Sequence, residues 1–109
     1  CFAGCGPGQM LDYLPPDILR GRRLVFTDIH PDFLAASEAR LSALGLEGTM
    51  LQDDLEATTL TDAPPNAVLV LVLEHCAWRQ AIQSLAQWRC QRILVVIQEN
   101  PPDVATAVT

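Results

Sequence analysis

The segment CFAGCGPGQM, residues 1–10, decides the fold of this chain, because glycines at positions 4, 6 and 8 alternate with Cys5 and Pro7. Two apolar residues precede the glycines, and a short helix is predicted from about Gln9 until the Pro-Pro pair at positions 15 and 16 stops it. A glycine-rich turn from a strand into a helix lets a ligand rest against bare backbone. The segment therefore predicts a ligand-binding strand–loop–helix unit.

Short apolar runs alternate with segments of helical periodicity along the rest of the chain. The runs cover residues 24–26, 50–51, 67–73 and 93–97. Strands that are buried on both faces have continuous apolar sequences, and their alternation with helices is typical of parallel βαβ units. Right-handed crossovers then give an α/β fold, a doubly wound, mainly parallel open sheet with helices on both faces. We expect five strands in the order 3-2-1-4-5.

Two longer helices have recognisable ends. Pro31, directly after His30, suits the first helical position, where the missing N–H would have no partner. Gly45 is expected to follow the helix in a left-handed conformation. A second helix is predicted at about 77–89. The residues expected on the buried faces are Leu34, Leu41 and Leu44 in the first helix, with Phe33 beside them, and Trp78, Ile82 and Leu85 in the second, flanked by Ala81 and Trp88.

The length of 109 residues suits one domain with one core. Only three residues precede the glycine loop, and the sequence stops soon after the last predicted strand. We therefore interpret residues 1–109 as a single domain that is truncated at both ends, a fragment of a larger domain. No apolar run approaches the roughly 20 residues that span a bilayer, and no signal peptide is visible, so no membrane contact is predicted.

The charge and the cysteines narrow the classes of function. The net charge is -6 and the chain has no lysine, which disfavours nucleic-acid binding because that needs clustered Lys and Arg. The one dense basic run is Arg20, Arg22 and Arg23. Four cysteines without a CxxC pair predict no metal site. Without a secretory signal they are interpreted as reduced thiols, which predicts a cytoplasmic protein.

Acidic residues follow the predicted strands at their carboxyl ends. Asp28 ends the second strand, about 20 residues beyond the glycine loop, where a carboxylate accepts hydrogen bonds from a ribose diol. A helix-capping role for Asp28 is the alternative. Asp53 and Asp54 follow the third strand, and Glu74 and His75 end the fourth. Open α/β sheets bind ligands at this edge, so these side chains are candidate site residues.

Four segments in order resemble those of class I, Rossmann-like S-adenosylmethionine-dependent methyltransferases. GCGPG resembles the cofactor loop G-x-G-x-G, and FTDIHPDFLAASEARL resembles the second strand with its terminal acid and following helix. LQDDLE resembles the strand end that holds the adenine. LVLEHC resembles a fourth-strand end that often carries Glu-His in small-molecule methyltransferases. The resemblance implies S-adenosylmethionine as cofactor and methyl transfer as activity.

The resemblance also implies a role for each candidate site residue. The methionine part of the cofactor would be lined by Ala3, Gly4, Cys5, Gly6 and Gly8, with Leu73 and Glu74 beneath it. The ribose would be bound by Asp28, and the adenine would be packed by Ile29, held at its amino group by Asp53 and backed by Asp54 and Leu55. His75 is the candidate catalytic base for a hydroxyl or thiol acceptor. A structural role for this histidine is the alternative.

The sequence departs from each of two related patterns. Phe2 stands where many methyltransferases of this class carry an acid, and Gln9 stands where the dinucleotide fingerprint G-x-G-x-x-G has its third glycine. A nicotinamide-dependent oxidoreductase shares the strand–loop–helix–acid layout and is the first alternative, although Gln9 and the G-x-G-x-G spacing disfavour it. A non-catalytic interaction domain with a methyltransferase-like fold is the second. The methyl acceptor is not identified, and a small molecule or a protein is favoured over nucleic acid.

Overall fold

A computed structural model of the chain describes residues 1–61, 64–70, 72 and 76–97. Within these residues the strands are β1 (Phe2–Ala3), β2 (Val25–Asp28), β3 (Thr49–Gln52), β4 (Asn66–Val70) and β5 (Arg92–Val96). All neighbouring strands pair in parallel, in the order β3-β2-β1-β4-β5. The predicted parallel sheet and its strand order are therefore confirmed.

Helical segments connect the strands. Helix α1 (Pro31–Ala43) joins β2 to β3, and α2 (Trp78–Gln87) joins β4 to β5. Two 3₁₀ helices, Gln9–Asp12 and Pro16–Ile18, lie between β1 and β2. The helix predicted from Gln9 is thus only a 3₁₀ turn, because the proline pair restricts the chain before a second turn can form. No helix in the described ranges is long and apolar enough to cross a membrane.

Helix α1 begins and ends where the sequence indicates. His30 has extended backbone and precedes the helix, which starts at Pro31. Gly45 follows the helix with φ +73°, in the left-handed conformation that glycine adopts readily. Leu34 and Leu41 are buried beneath the helix, as predicted.

The two faces of the sheet carry separate apolar cores, because neighbouring residues of a strand point to opposite faces. Phe2 and Phe26 are paired on adjacent strands, and their rings stack with centroids 4.8 Å apart. They pack on one face with Leu34 and Leu41 of α1. The other face joins Ala3 and Val25 to residues of α2, which are Ala81 and Leu85. The predicted placement of helices on both faces is confirmed.

Helix α2 buries a different stripe from the one predicted. Ala81, Leu85 and Trp88, spaced at i, i+4 and i+7, are buried against the sheet. Trp78 and Ile82 were expected in the core but are 52% and 38% exposed. Ile82 is turned about 100° from Ala81 around the helix axis. Trp78 is the first helical residue, where its ring lies 4.7 Å from the guanidinium carbon of Arg79 instead of reaching the core.

Candidate functional site

A cleft of about 590 Å³ lies at the edge of the sheet where the carboxyl ends of the parallel strands meet. Its walls come from the loops that follow β1, β2 and β3 and from residues after β4. Ligands bind at this edge in open α/β sheets, near the point where the strand order reverses. The volume falls within the range of about 300–1,000 Å³ typical of small-molecule sites. This cleft is therefore the candidate functional site.

The glycine loop forms one wall of the cleft through Gly6. This residue has φ +58°, a conformation that side chains rarely adopt, and a Cβ atom built on it would meet nothing within 4 Å. The absence of a side chain therefore leaves open space in front of the backbone. A ligand can approach the loop directly at Gly6.

Asp28 is buried at the end of β2, where its carboxylate faces the cleft. Its Oδ2 accepts a hydrogen bond from the Gly6 N–H over 2.8 Å, and its Oδ1 accepts one from the His30 N–H over 2.9 Å. An ionised carboxylate has about four acceptor positions, so about two remain for a ligand. The capping role and the ligand role proposed for Asp28 are thus compatible in one residue.

Ser37 holds the glycine loop from the side of α1. Its hydroxyl donates to the carbonyl oxygen of Gly6 over 2.8 Å, and its Oγ lies 3.4 Å from the thiol sulfur of Cys5. Gly8 packs so closely on α1 that an added Cβ would lie 3.0 Å from the Cα of Ser37. The sequence analysis missed Ser37. Its signal was a small polar residue between Leu34 and Leu41 on the apolar stripe of the helix.

Asp53 is buried, and its carboxylate is already engaged by the loop that follows it. Oδ2 accepts the hydroxyl of Thr58 over 2.8 Å, and Oδ1 accepts the backbone N–H of Thr59 over 3.0 Å. The indole N–H of Trp88 donates to the same Thr58 oxygen over 2.8 Å. Asp53 lines the cleft, so its bond to Thr58 connects the cleft to Trp88 at the end of α2.

An acidic wall continues from Asp54 to Glu56. Asp54 is exposed, and its Oδ1 accepts the backbone N–H of Glu56 over 2.9 Å. Glu56 reaches across to α2, where its Oε1 accepts the N–H of Ala77 over 2.5 Å. Partial burial, with smaller contributions from Glu56 and Asp54, raises the pKa of the Cys76 thiol that lines the same cleft. The thiol is therefore neutral at neutral pH.

Comparison with known protein families identifies the family to which the chain belongs. The model of the family described as "Methyltransferase domain" matches residues 2–92, which includes the whole described sheet apart from the last four residues of β5. The chain belongs to this methyltransferase family. No curated protein sequence matches it significantly.

Solved structures share the fold of the chain. A structure described for the conversion of a disulfide bond into a thioacetal group during echinomycin biosynthesis has TM-score 0.65 and 18% identity, and the match covers 80% of this chain and 36% of that one. An S-adenosylmethionine-dependent methyltransferase from Clostridium acetobutylicum has TM-score 0.60 and 13% identity, and the match covers 77% of this chain and 35% of that one. The glycopeptide N-methyltransferase MtfA in complex with sinefungin has TM-score 0.60 and 20% identity, and the match covers 79% of this chain and 40% of that one.

These matches confirm the resemblance to class I methyltransferases and the Rossmann-like fold. S-Adenosylmethionine, the cofactor predicted from the sequence, is the one that this family uses, and MtfA also has a structure in complex with it. The chain spans between a third and two fifths of the three structures named above. The family match favours a methyltransferase over the nicotinamide-dependent alternative.

Most of the site residues predicted for the methyltransferase meet at the cleft. Those that line it are Gly4, Cys5, Gly6, Asp28, Ile29, Asp53, Asp54 and Leu55. Ala3 is buried in β1, within the core on the α2 face of the sheet, and Gly8 packs against α1, so neither is part of the lining. Leu73, Glu74 and His75 lie outside the described residues. Their roles, like those of the other site residues, stay predictions.

The cleft also contains residues that the sequence analysis did not assign to the site. These are Met10 and Tyr13 after the glycine loop, Phe33 on α1, Glu56 after β3, and Val72 and Cys76 after β4. Tyr13 is almost fully exposed, and Phe33 packs edge-on against His30 with ring centroids 5.0 Å apart. Phe33, Glu56, Val72 and Cys76 lie within the segments that resemble methyltransferase motifs, but the resemblance assigned no role to them.

Proposed function

We propose that this chain forms the cofactor-binding part of an S-adenosylmethionine-dependent methyltransferase. The single observation that supports this most strongly is the pair formed by Gly6 and Asp28. Open space lies in front of Gly6, and the carboxylate bonded to its N–H faces the same cleft. A cofactor with an amino-acid tail and a ribose would use these two features together.

We assign the adenosine part of the cofactor to the side of the cleft beyond Asp28. The remaining acceptor positions of Asp28 would receive the ribose hydroxyls. Ile29 is about half exposed at the cleft, and its carbonyl accepts the side-chain N–H of Gln52 over 3.0 Å, which fixes an apolar surface for the adenine. Asp54 is better placed than Asp53 to accept the adenine amino group, because Asp54 is exposed and has one internal donor, whereas Asp53 is buried and has three.

When bound, the cofactor would supply an electrophilic methyl group on a positively charged sulfur. The residues of the chain would bind and orient it, so that the methyl group lies in line with the acceptor and water is excluded. Gly6 would receive the amino-acid tail and Asp28 the ribose, and Cys5 would stay a neutral thiol because burial raises its pKa. We propose His75 as the base that takes a proton from a hydroxyl or thiol acceptor.

We propose a small molecule or a protein as methyl acceptor. The support is electrostatic: the chain carries a net charge of -6, and Asp54 and Glu56 stand on the wall of the cleft. Such a field repels the phosphates of nucleic acid and favours neutral or cationic acceptors. A cytoplasmic location is likewise proposed, because all four cysteines are free thiols.

Calorimetric titration of the purified protein with S-adenosylhomocysteine, the product form of the cofactor, tests the proposed function. We expect saturable binding of S-adenosylhomocysteine and none of NADH under the same conditions. Ligand binding to the folded state should also raise the unfolding temperature, and the rise should continue with the logarithm of the free ligand concentration above Kd. Binding of NADH alone would support the oxidoreductase alternative. A folded protein that binds neither ligand would contradict the proposal and support a non-catalytic interaction domain.

A further inference from the structure

The peptide groups on both sides of Gly6 are fixed by the β2–α1 unit. The N–H of Gly6 donates to Asp28 over 2.8 Å, and its carbonyl oxygen accepts the Ser37 hydroxyl over 2.8 Å. One residue earlier, the N–H of Cys5 donates to the carbonyl oxygen of Thr27 over 2.9 Å. Three successive peptide groups at the tip of the glycine loop are therefore each hydrogen-bonded to β2 or α1.

Ser37 is placed so that its hydroxyl can serve only groups of the loop. It lies in the middle of α1 with 0% exposure, and water does not reach it. Serines inside helices often bond to the carbonyl one turn earlier in the same helix. Here the hydroxyl instead donates to Gly6, which is 31 residues away in sequence. The close approach of Gly8 to the backbone of α1 makes this bond geometrically accessible.

The bond from Ser37 matters because Gly6 does not fix its own conformation. Glycine populates positive and negative φ with similar ease, so the left-handed state at φ +58° needs external contacts to be selected. The peptide between Gly6 and Pro7 has no N–H, because proline lacks one, so its carbonyl oxygen is its only polar group. The other donor to this oxygen is the thiol of Cys5, over 3.3 Å, and a thiol is a weak donor. Without the Ser37 hydroxyl, the oxygen would therefore be held less firmly and could turn toward the cleft.

We infer that Ser37 is a positioning residue that holds the glycine loop in the conformation that receives the amino-acid tail of the cofactor. The inference rests on the proposed function and deepens it, because it assigns the binding of the tail to a residue outside the cleft. Ser37 acts through Gly6 and does not contact the cofactor. Its loss should therefore affect ligands that have the tail more than ligands that lack it.

The test compares two ligands with the variants Ser37→Ala and Ser42→Ala in calorimetric titrations. S-Adenosylhomocysteine carries the amino-acid tail, and 5′-methylthioadenosine shares its adenosine part but lacks the tail. Ser37→Ala should weaken S-adenosylhomocysteine binding about threefold to tenfold, the range of one neutral hydrogen bond, with little change for 5′-methylthioadenosine. Ser42 is exposed on the same helix, so Ser42→Ala should change neither affinity.

The outcomes separate the inference from the proposed function. If the parent protein binds neither ligand, the proposed function fails. If it binds both and Ser37→Ala weakens both equally, or neither, the positioning role is overturned, because general destabilisation would not distinguish the ligands. Should Ser37→Ala not fold, Ser37→Cys carries the test, since it offers a weaker donor at the same position. It is titrated under reducing conditions, which prevent a disulfide with Cys5, whose sulfur lies 3.4 Å from the Ser37 Oγ. It should show the same selective loss at smaller size, and an unchanged ratio of affinities would overturn the inference.

Discussion

The backbone N–H of Gly6 donates to Oδ2 of Asp28 over 2.8 Å, so one buried carboxylate joins the glycine loop to the end of β2. Its other oxygen accepts the N–H of His30 at the start of α1. Any group bound by the remaining acceptor positions of Asp28 is therefore linked to the loop through a single side chain. This predicts that the ribose contact and the loop conformation depend on each other.

Replacement of this carboxylate should weaken cofactor binding strongly. Asp28→Ala removes a charged acceptor from the ribose and from Gly6, and hydrogen bonds to charged groups contribute about 1.5–3 kcal/mol. S-Adenosylhomocysteine affinity measured by calorimetry should fall about tenfold to a hundredfold. Asp17→Ala, at an exposed site away from the cleft, is the control and should bind normally. Unchanged affinity in Asp28→Ala would show that Asp28 is only a structural cap.

A side chain at Gly6 should block binding more than it disturbs folding. Gly6→Val places methyl groups in the open space of the cleft and should remove measurable S-adenosylhomocysteine binding. Gly21→Val is the matched control, because Gly21 also has a positive φ, +73°, with nothing within 4 Å of its Cβ position, and does not line the cleft. Both should lose about 1–2 kcal/mol of stability from left-handed strain.

Circular dichroism during urea unfolding measures that common loss, and calorimetry measures the difference in binding. Normal binding by a folded Gly6→Val variant would contradict the role of the loop as a cofactor cradle. Loss of binding in Gly21→Val as well would assign the effect to general destabilisation.

The hydroxyl of Thr58 is expected to stabilise the fold by bonding both Asp53 and Trp88. Thr58→Val leaves a carboxylate oxygen of Asp53 and the buried indole N–H of Trp88 without this partner. The free energy of unfolding in urea should fall by about 1–3 kcal/mol, the cost of unsatisfied buried polar groups. Thr59→Val is the control, since its longer hydroxyl contact of 3.4 Å is lost while its backbone N–H still bonds Asp53. Equal losses in the two variants would contradict this account.

Cys76 should react slowly with alkylating reagents in the folded protein. Its pKa is raised, mainly by burial and then by Glu56 and Asp54, so at pH 8 less thiolate is present than in the unfolded chain. Because the thiolate fraction grows as pH rises, the alkylation rate should climb with pH and level off only above the ordinary pKa of a cysteine. Iodoacetamide labelling followed by mass spectrometry measures the rate.

Two comparisons sharpen the labelling test. Glu56→Gln removes one of the charges that raise the pKa of Cys76, so it should speed labelling at pH 8. Saturating S-adenosylhomocysteine should slow it, because Cys76 lines the cleft. Labelling of the folded protein at the rate seen in urea would show that the environment of Cys76 does not protect it.

The sequence by itself determined the sheet, its order and the family. Apolar runs that alternate with helical segments are typical of parallel α/β sheets covered on both faces, right-handed crossovers restrict their topology, and local residue types mark the ends of α1. Gly6 and Asp28 were also identified from sequence, because Gly6 follows β1 and Asp28 ends β2, and the carboxyl ends of these strands lie at the ligand-binding edge. These features depend on local pattern and connection rules, which a single sequence contains.

The tertiary structure alone decided which partners the site residues have. Ser37 is an ordinary helical serine in the sequence, and only the packing of α1 on Gly8 brings its hydroxyl to Gly6. The acid Asp53 is engaged by Thr58, and Thr58 by Trp88 of a different helix. Hydrogen bonds form only where the donor–acceptor distance is within a few tenths of an ångström of its optimum and the angles are favourable. That geometry arises from the packing of distant segments, so residue spacing along the chain does not specify it.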